Sequence, residues 1–340
     1  MPPLRIALIG AGWVTAHHLD AYAAMPSDAV VVAVADPDTA AREARMEGFG
    51  IARGFDDAEA MLDALAGEID AVDIASPREH HARHVALAVA RGLPVLCQKP
   101  LAPDLAAAKR LVAELPAEAR VMVHENWRFR PHYRTLARWI EAGRIGPPRQ
   151  AIMRILTSGL VAREDGSRPA LVRQPMMRGL DRMLLMEVMI HHVDALRFLL
   201  GPMQLLAARM GRDCSEIRGE DRATLMIAAG ADGATTVTLV GDFMAHGRPA
   251  AAIDRLDLLG LDGAITLDDE GLWYRVGEEV VEHVPVDFAA DYKASYRDAI
   301  AHFLAALRSG DPFETDPRDN LATLRIIEQA YAAAGPPGPA

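Results

Sequence analysis

The sequence predicts an α/β protein with two domains. Residues 1–123 predict a doubly wound parallel sheet, and residues 124–340 predict an α/β domain with a large, mostly antiparallel open sheet. In the first part, short apolar runs alternate with helical patterns, which is typical of parallel sheets. In the second part, short strands follow one another through turns, which indicates antiparallel pairing. A chain of 340 residues is also long for a single hydrophobic core.

The composition excludes several classes of partner. A formal net charge of −11 disfavours binding to a nucleic-acid backbone, and no apolar run is long enough to span a membrane. The two cysteines, Cys97 and Cys214, are too few for a disulfide framework. The first residues lead directly into a strand pattern without a cleavable signal, so we expect a cytoplasmic protein. The tail at 335–340 is rich in Pro and Gly and predicts coil.

The first predicted strand, Arg5 to Ile9, ends at Gly10-Ala11-Gly12, and a helix follows. Gly10 permits a tight turn, and Gly12 lets backbone N–H groups approach a pyrophosphate at the helix N-terminus. The third glycine of this dinucleotide-binding fingerprint is replaced by Thr15. Trp13 and Val14 follow the turn and are predicted to line the same cofactor site, although ordinary packing would explain Trp13 equally well.

A second buried strand, 30–35, ends at Asp36, which lies 24 residues after Gly12. A carboxylate in this position accepts hydrogen bonds from the adenosine ribose and repels a 2′-phosphate. No arginine is adjacent to attract that phosphate, so the sequence favours NAD over NADP as the cofactor. Alternatively, Asp36 could cap the helix that begins at Pro37.

The alternation of strands and helices continues to residue 123. The predicted helices are 58–65, 77–90 and 103–115, and the predicted strands are 71–75, 93–99 and 120–123. His80 and His84 are four residues apart and could form a metal pair, but no cysteine or acidic cluster completes a coordination shell, so no metal is expected. His81 is predicted either to contact the cofactor or to cap the strand–helix turn.

Lys99 ends a buried strand immediately before Pro100. In open α/β sheets, ligands bind beyond the carboxyl ends of the strands. The ammonium group of Lys99 is therefore a candidate for holding or protonating a substrate oxygen.

The second half combines helices with many short strands. Predicted helices are 132–142, 179–200, 292–307 and 317–333, and predicted strands are 150–157, 204–211, 223–229, 234–242, 253–259, 264–267 and 272–284. In the helix 179–200, Glu187 and His191 are four residues apart and share one face. A carboxylate that holds an imidazole suits a general base, although pairs of this kind also occur on surfaces without a catalytic role.

Together these features resemble the Gfo/Idh/MocA family of NAD(P)-dependent oxidoreductases across essentially the whole chain. The matching stretches are Gly10-Ala11-Gly12 with His18, Ser76 to His81, Gln98-Lys99-Pro100, and Glu187 to Arg197. The resemblance implies an N-terminal Rossmann domain and a second domain whose open sheet makes subunit contacts, giving a homodimer or homotetramer. It also implies a cis peptide bond before Pro100, and a substrate held between the nicotinamide and the second domain.

The resemblance further implies that Lys99 and His191 are the catalytic pair, with Glu187 where the family has Asp. The implied reaction oxidises a hydroxyl of a sugar or polyol. His191 takes the proton, Glu187 stabilises the imidazolium, and Lys99 binds the same oxygen. Further predicted cofactor contacts are Ser76, Pro77, His81, Gln98 and Lys99, and predicted substrate contacts are Asn126, Arg128, Arg154, Arg173 and His192.

Two alternatives remain open at this point: a non-catalytic protein that senses NAD or a sugar, and a reductase of keto-sugars. For each arginine, an ordinary ion pair explains the residue equally well.

Three positions depart from the family pattern: Gln98, Glu187 and Met189, which replace Glu, Asp and Gly. Several stretches resemble a subgroup that includes D-apiose dehydrogenases, in which Gln and Glu are ordinary at the first two positions. This makes a pentose such as apiose a candidate substrate. Met186, Met189 and His192 differ from that subgroup, so the resemblance does not carry the substrate over.

Overall fold

The computed structural model describes residues 2–251 and 253–335. They fall into two compact units. The first unit extends to Arg130 and also contains Tyr292–Ala322, and the second contains Pro131–Asp291 and the residues from Thr323 onward. The tail at 336–340, for which the sequence predicts coil, lies outside the described residues.

The strands found among the described residues are, in chain order, β1 (Leu4–Ile9), β2 (Ala29–Ala35), β3 (Arg53–Phe55), β4 (Ala71–Ile74), β5 (Val95–Gln98), β6 (Val121–His124), β7 (Pro148–Leu156), β8 (Met203–Gly211), β9 (Arg222–Ala229), β10 (Thr235–Asp242), β11 (Arg255–Gly260), β12 (Ala264–Asp268), β13 (Gly271–Val276) and β14 (Glu279–Pro285).

The α-helices of the same residues are α1 (Trp13–Ala23), α2 (Thr39–Phe49), α3 (Ala58–Ala64), α4 (His81–Val89), α5 (Leu105–Glu114), α6 (Pro131–Glu141), α7 (Pro169–Arg173), α8 (Ile190–Leu200), α9 (Phe288–Ser309) and α10 (Pro317–Ala334). Short 3₁₀ turns lie at Arg78–His80, Trp127–Phe129 and Pro175–Gly179, and a π-helical turn lies at Leu184–Met189.

The first unit is built on a six-stranded parallel sheet with the strand order β3-β2-β1-β4-β5-β6. The strand order reverses between β1 and β4, which is the point where such sheets bind ligands. Ile9 of β1 aligns with Ala35 of β2 and with Ile74 of β4, and Ile74 aligns with Cys97 of β5. The residues that follow these strands therefore emerge at one edge of the sheet.

Residues 292–322, which the sequence analysis placed in the second domain, group with the first sheet for a physical reason. Tyr296, Ile300 and Phe303 of α9 are buried in one core cluster with Ile6 of β1 and Leu96 of β5. The boundary at residue 123 was drawn from sequence order, whereas the apolar face of α9 packs on strands far away in the sequence.

The second unit is built on an eight-stranded sheet with the order β14-β13-β12-β11-β7-β10-β9-β8. Only the β10–β7 pair is parallel among the described pairs, and the rest are antiparallel. Side chains such as Met153, Leu239 and Leu256 are buried on one face of this sheet. The predicted fold class, a parallel Rossmann sheet with a second, mostly antiparallel sheet, is confirmed.

Two predicted elements differ in detail. The predicted helix 179–200 is interrupted: Gly179 ends a 3₁₀ turn, residues 180–183 are not helical, and the π-helical turn Leu184–Met189 then leads into α8. The predicted strand 272–284 is the hairpin of β13 and β14, because Gly277 adopts a φ of 59° and turns the chain. Within residues 2–251 and 253–335, every helix is too short or too polar to cross a membrane.

Candidate active site

The glycine turn after β1 is shaped by a close approach of two backbones. Gly10 has a φ of 105°, and a Cβ atom on it would lie 2.6 Å from the backbone nitrogen of Ser76, at the end of β4. Only glycine fits this position. A Cβ on Gly12 would meet nothing within 4 Å, so the backbone at the start of α1 faces open space. Trp13 is 46% exposed beside it, and Val14 is half-buried.

Asp36 binds this turn directly. Its Oδ2 accepts a hydrogen bond of 2.6 Å from the backbone N–H of Ala11, and its Oδ1 accepts one from Asp38. The cap of helix α2 is Asp38, whose Oδ1 accepts the backbone N–H of Ala41. The alternative that Asp36 is the helix cap is therefore not what the structure shows, and the carboxylate of Asp36 lies at the turn.

Two arginines that were not predicted from the sequence contact Asp36 and the glycine turn. Arg42 donates to the carbonyl oxygen of Asp36 at 2.5 Å, and Arg45 donates to the carbonyl oxygens of Ala11 and Gly12 at 3.2 and 2.9 Å. Both lie on α2, whose first turns bring them back to the turn after β1. Both arginines follow the capping residue Asp38. Predicting a helix that begins after Asp38 would therefore have been the signal that places them near this turn.

The loop after β4 is tied to the loop after β5 by a histidine. The Nδ1 atom of His81 lies 2.8 Å from the carbonyl oxygen of Pro100, and Nε2 lies 2.8 Å from that of Ser76. His81 is 1% exposed. Pro77 lies between the strand end and the 3₁₀ turn, and the predicted cis peptide bond between Lys99 and Pro100 is confirmed.

His80 and His84, whose spacing was weighed as a metal pair, have different surroundings. His84 Nδ1 lies 3.0 Å from the hydroxyl of Ser76, and burial lowers the pKa of His84 to about 4. His80, in contrast, is exposed. Within residues 2–251 and 253–335, no group of three or more His, Cys, Asp or Glu side chains could hold a metal ion.

Lys99 lies at the carboxyl end of β5 with a half-buried side chain. Its backbone N–H donates to Oε1 of Gln98 at 2.7 Å. The Gln98 amide nitrogen lies 3.1 Å from Nε2 of His18, whose Nδ1 lies 2.8 Å from Asp73. In the first unit, Gly10, Gly12, Asp36, Ser76, Gln98 and Lys99 thus follow neighbouring strands and meet at one sheet edge.

The predicted substrate residues after β6 make contacts within the first unit. The Asn126 amide donates to the Ser295 hydroxyl at 2.7 Å. Arg128 is buried, forms an ion pair of 2.8 Å with Asp319, and donates to the Glu314 carbonyl oxygen at 3.2 Å. A substrate contact by Asn126 or Arg128 would compete with these bonds, and it stays a prediction.

In the second unit, Glu187 and His191 lie on either side of the junction between the π-helical turn and α8. Glu187 is half-buried in the π-helical turn, and His191 is buried in the first turn of α8. π-Helical turns occur often at functional sites. The predicted dyad therefore depends on a local geometry that differs from the continuous α-helix assumed from the spacing.

A buried carboxylate anchors this π-helical turn. Glu220 accepts the backbone N–H of Leu185 at 2.8 Å and the hydroxyl of Tyr331 at 2.7 Å. Burial raises the pKa of Glu220 above its ordinary value. Neither Glu220 nor Tyr331 was selected from the sequence, because no local pattern connects them to residue 185.

The three remaining predicted substrate residues lie in the second unit. Nε2 of His192 lies 2.8 Å from Asp254, and Arg154 forms an ion pair of 2.7 Å with Asp257. Arg173 is exposed at the end of α7. Substrate contact by these three residues stays a prediction.

Met189, the residue in place of the family's glycine, packs against the sheet. It is fully buried, and a Cβ on Gly241 of β10 would lie 2.5 Å from its sulfur atom. The absent side chain at Gly241 thus provides the space that Met189 fills.

Comparison with known proteins agrees with these features. Residues 4–126 match the model of the GFO_IDH_MocA oxidoreductase family, NAD-binding Rossmann fold, and residues 133–266 match the GFO/IDH/MocA C-terminal domain. A D-apiose dehydrogenase from Paraburkholderia graminis is 33% identical, covering 96% of this chain and 87% of the relative. An inositol 2-dehydrogenase from Rhizobium meliloti is 28% identical, covering 96% of each chain.

Among solved structures, an oxidoreductase from Agrobacterium radiobacter in complex with NAD+, L-tartaric acid and magnesium superposes with a TM-score of 0.86. It is 27% identical to this chain, and the superposition covers 97% of this chain and 96% of that structure.

Proposed function

The chain belongs to the Gfo/Idh/MocA oxidoreductase family, and on this premise we propose that it oxidises a hydroxyl of a sugar or polyol by hydride transfer to NAD. The predicted family and the predicted NAD-binding class are confirmed. The convergence of Gly12, Asp36 and Lys99 at the carboxyl edge of the parallel sheet is the observation that carries the proposal. The relatives named after apiose and inositol support a polyhydroxylated substrate, and none of them supports the non-catalytic alternative.

The residues of the first unit fit a dinucleotide. The space in front of Gly12, which a side chain would occupy, suits a pyrophosphate at the N-terminus of α1. The carboxylate of Asp36 lies at the same turn and can accept hydrogen bonds from ribose hydroxyls. When bound, NAD supplies the hydride acceptor.

The proton chemistry is assigned to three side chains. His191 takes the proton of the substrate hydroxyl, and Glu187 stabilises the resulting imidazolium by its opposite charge. Lys99 donates a hydrogen bond to the same oxygen and stabilises the negative charge that develops there. The cofactor carries the redox chemistry, so these groups have only to orient the hydroxyl and to move its proton.

The test is Lys99→Ala with a panel of pentoses, inositols and other polyols that includes apiose. We expect the wild-type protein to form NADH with at least one panel compound. The variant should lose about 10²- to 10⁴-fold in kcat, the typical contribution of a positioned proton-transfer group. Its affinity for NAD, measured by calorimetry, should stay close to the wild-type value.

A matched control is Lys109→Ala, which removes the same charge from an exposed position on α5. It should leave kcat unchanged. Tight NAD binding without NADH formation on any panel compound would contradict the proposed function. Full turnover by Lys99→Ala would contradict the role of the lysine.

We further propose that the protein is a homodimer or homotetramer that associates through the half-exposed face of the second sheet. A row of directly paired residues crosses this face, consisting of Met226, Thr238, Ile152, Asp257, Thr266 and Trp273. Met226 is 43% exposed. Apolar side chains on an open sheet face are typical of a surface that another protein chain covers.

We also propose a cytoplasmic location. Cys97 and Cys214 are both free thiols in the structure, and free thiols are kept reduced in that compartment.

A further inference from the structure

Asp73 is a carboxylate in the middle of β4, one of the central strands of the first sheet. It is 0% exposed, and its Oδ2 lies 2.8 Å from Nδ1 of His18 and 3.0 Å from the hydroxyl of Tyr22. A buried carboxylate is costly unless donors compensate for its lost hydration. Its position in an otherwise apolar strand therefore calls for an explanation.

The hydrogen bonds that start from Lys99 determine the protonation of His18. A backbone N–H can only donate, so the atom of Gln98 that lies 2.7 Å from the Lys99 nitrogen must be the amide oxygen. The amide NH₂ group then faces Nε2 of His18 at 3.1 Å, and this nitrogen must accept. A ring that accepts at Nε2 is neutral and carries its proton on Nδ1, where it donates to Asp73.

We infer that Asp73, His18 and Gln98 form a positioning relay that fixes the backbone at Lys99 and requires a neutral His18. This inference rests on the proposed function, because it assigns the relay to the lysine that acts on the substrate. None of the three is a catalytic residue. They act through the backbone of Lys99, whose N–H is the last donor of the chain of bonds.

The residue at position 98 selects the charge of His18. A glutamate there has no N–H to donate, so His18 would need a second proton to bridge the carboxylates at 73 and 98. Glutamine removes this requirement. The other titratable groups that face His18 are His124 of β6, with ring centroids 4.3 Å apart, Tyr296 of α9 at 5.6 Å, and the adjacent His17 of α1.

The first experiment compares His18→Phe, His18→Gln and the matched control Tyr22→Phe. His18→Phe keeps a flat ring but breaks the relay, so we expect kcat to fall about 10²-fold, as for a small misplacement of a reacting group, with an unchanged Kd for NAD. His18→Gln offers one donor and one acceptor and should restore most of the activity. Tyr22→Phe removes the other donor to Asp73 and should leave kcat close to the wild-type value.

Gln98→Glu tests the selection of charge by its pH profile. Because this variant holds Lys99 only while His18 carries two protons, its kcat should fall on the alkaline side, where the wild type keeps its activity. Gln98→Met, which has a similar length but no amide, should lower kcat at every pH. This variant also keeps the test available if His18→Phe does not fold.

The tautomer of His18 can be read without any turnover. Two-bond ¹H–¹⁵N spectra of the wild-type protein at neutral pH should show a proton on Nδ1 only. A proton on Nε2, or equal losses of kcat in His18→Phe and Tyr22→Phe, would overturn the relay. A wild type that oxidises no polyol but shows the expected tautomer would refute the proposed function and leave the hydrogen-bond assignment standing.

Discussion

The contact between Met189 and Gly241 predicts a measurable cost for adding one methyl group to the second unit. The Cβ atom of Gly241→Ala would lie 2.5 Å from the Met189 sulfur and 3.3 Å from a Leu184 methyl carbon. Favourable contacts between non-bonded carbon atoms lie at roughly 3.5–4.0 Å. Met189 and Leu184 are fully buried and cannot move into solvent. Overpacking of this kind costs about 1–3 kcal/mol of unfolding free energy.

Met189→Ala alone should cost about 2–5 kcal/mol, because it removes a buried side chain and leaves a cavity. In the double variant, the new methyl group at position 241 fills part of that cavity. The sum of the two single effects should therefore exceed the measured loss, with a coupling of about 0.5–3 kcal/mol.

Urea unfolding followed by circular dichroism measures these values, provided that the slope with urea is unchanged. The matched control is Gly48→Ala, the same substitution at an exposed position of α2 where a Cβ meets nothing within 4 Å. It should stabilise the protein by about 0.5–1 kcal/mol. A Gly241→Ala variant within about 0.5 kcal/mol of the wild type, or strictly additive effects, would refute the packing of Met189 against this strand.

Three further predictions concern the cofactor, pH and assembly. Asp36→Ala should raise the ratio of kcat/KM with NADP to that with NAD, because it removes a repelling carboxylate while Arg42 stays in place. The control Asp57→Ala removes a carboxylate that caps α3 and pairs with Arg83, and it should leave this ratio unchanged. Burial lowers the pKa of His84 from 6.5 to about 4, so between these values the unfolded chain binds more protons and the unfolding free energy falls as the pH decreases. His84→Gln should reduce this slope in urea titrations across that range, and an unchanged slope would contradict the assignment. Met226→Glu should dissociate the oligomer in light scattering, whereas Val172→Glu, at another exposed apolar position, should not.

The parallel sheet and its edge could be predicted from the sequence because both depend on local signals. Apolar runs define the strands, and Gly10, Asp36 and Lys99 each come directly after one. In a parallel sheet the carboxyl ends of the strands share one edge, so the strand assignment alone brings these residues together. The spacing of Glu187 and His191 was equally visible, but apolar periodicity does not distinguish an α-helix from a π-helical turn.

The contacts that the sequence did not reveal join residues that are far apart in the chain. Asp73 and His18 are 55 positions apart, and Glu220 and Tyr331 are 111 apart. Similarly, the amphipathic pattern of α9 does not indicate which sheet it covers. A single signal was available: a carboxylate at position 73 within an apolar strand, which a buried partner must compensate.

Two of the three departures from the family pattern, Gln98 and Met189, are explained by what surrounds them within each unit. Gln98 replaces a glutamate, and the neutral His18 supplies the acceptor that its amide needs. Met189 replaces a glycine, and Gly241 provides the space. Glu187 replaces an aspartate and lies in a π-helical turn that Glu220 and Tyr331 anchor. Since Gln98 and Met189 each contact an identified neighbour, we expect Gln98→Glu to lower kcat on the alkaline side and Met189→Gly to destabilise the second unit.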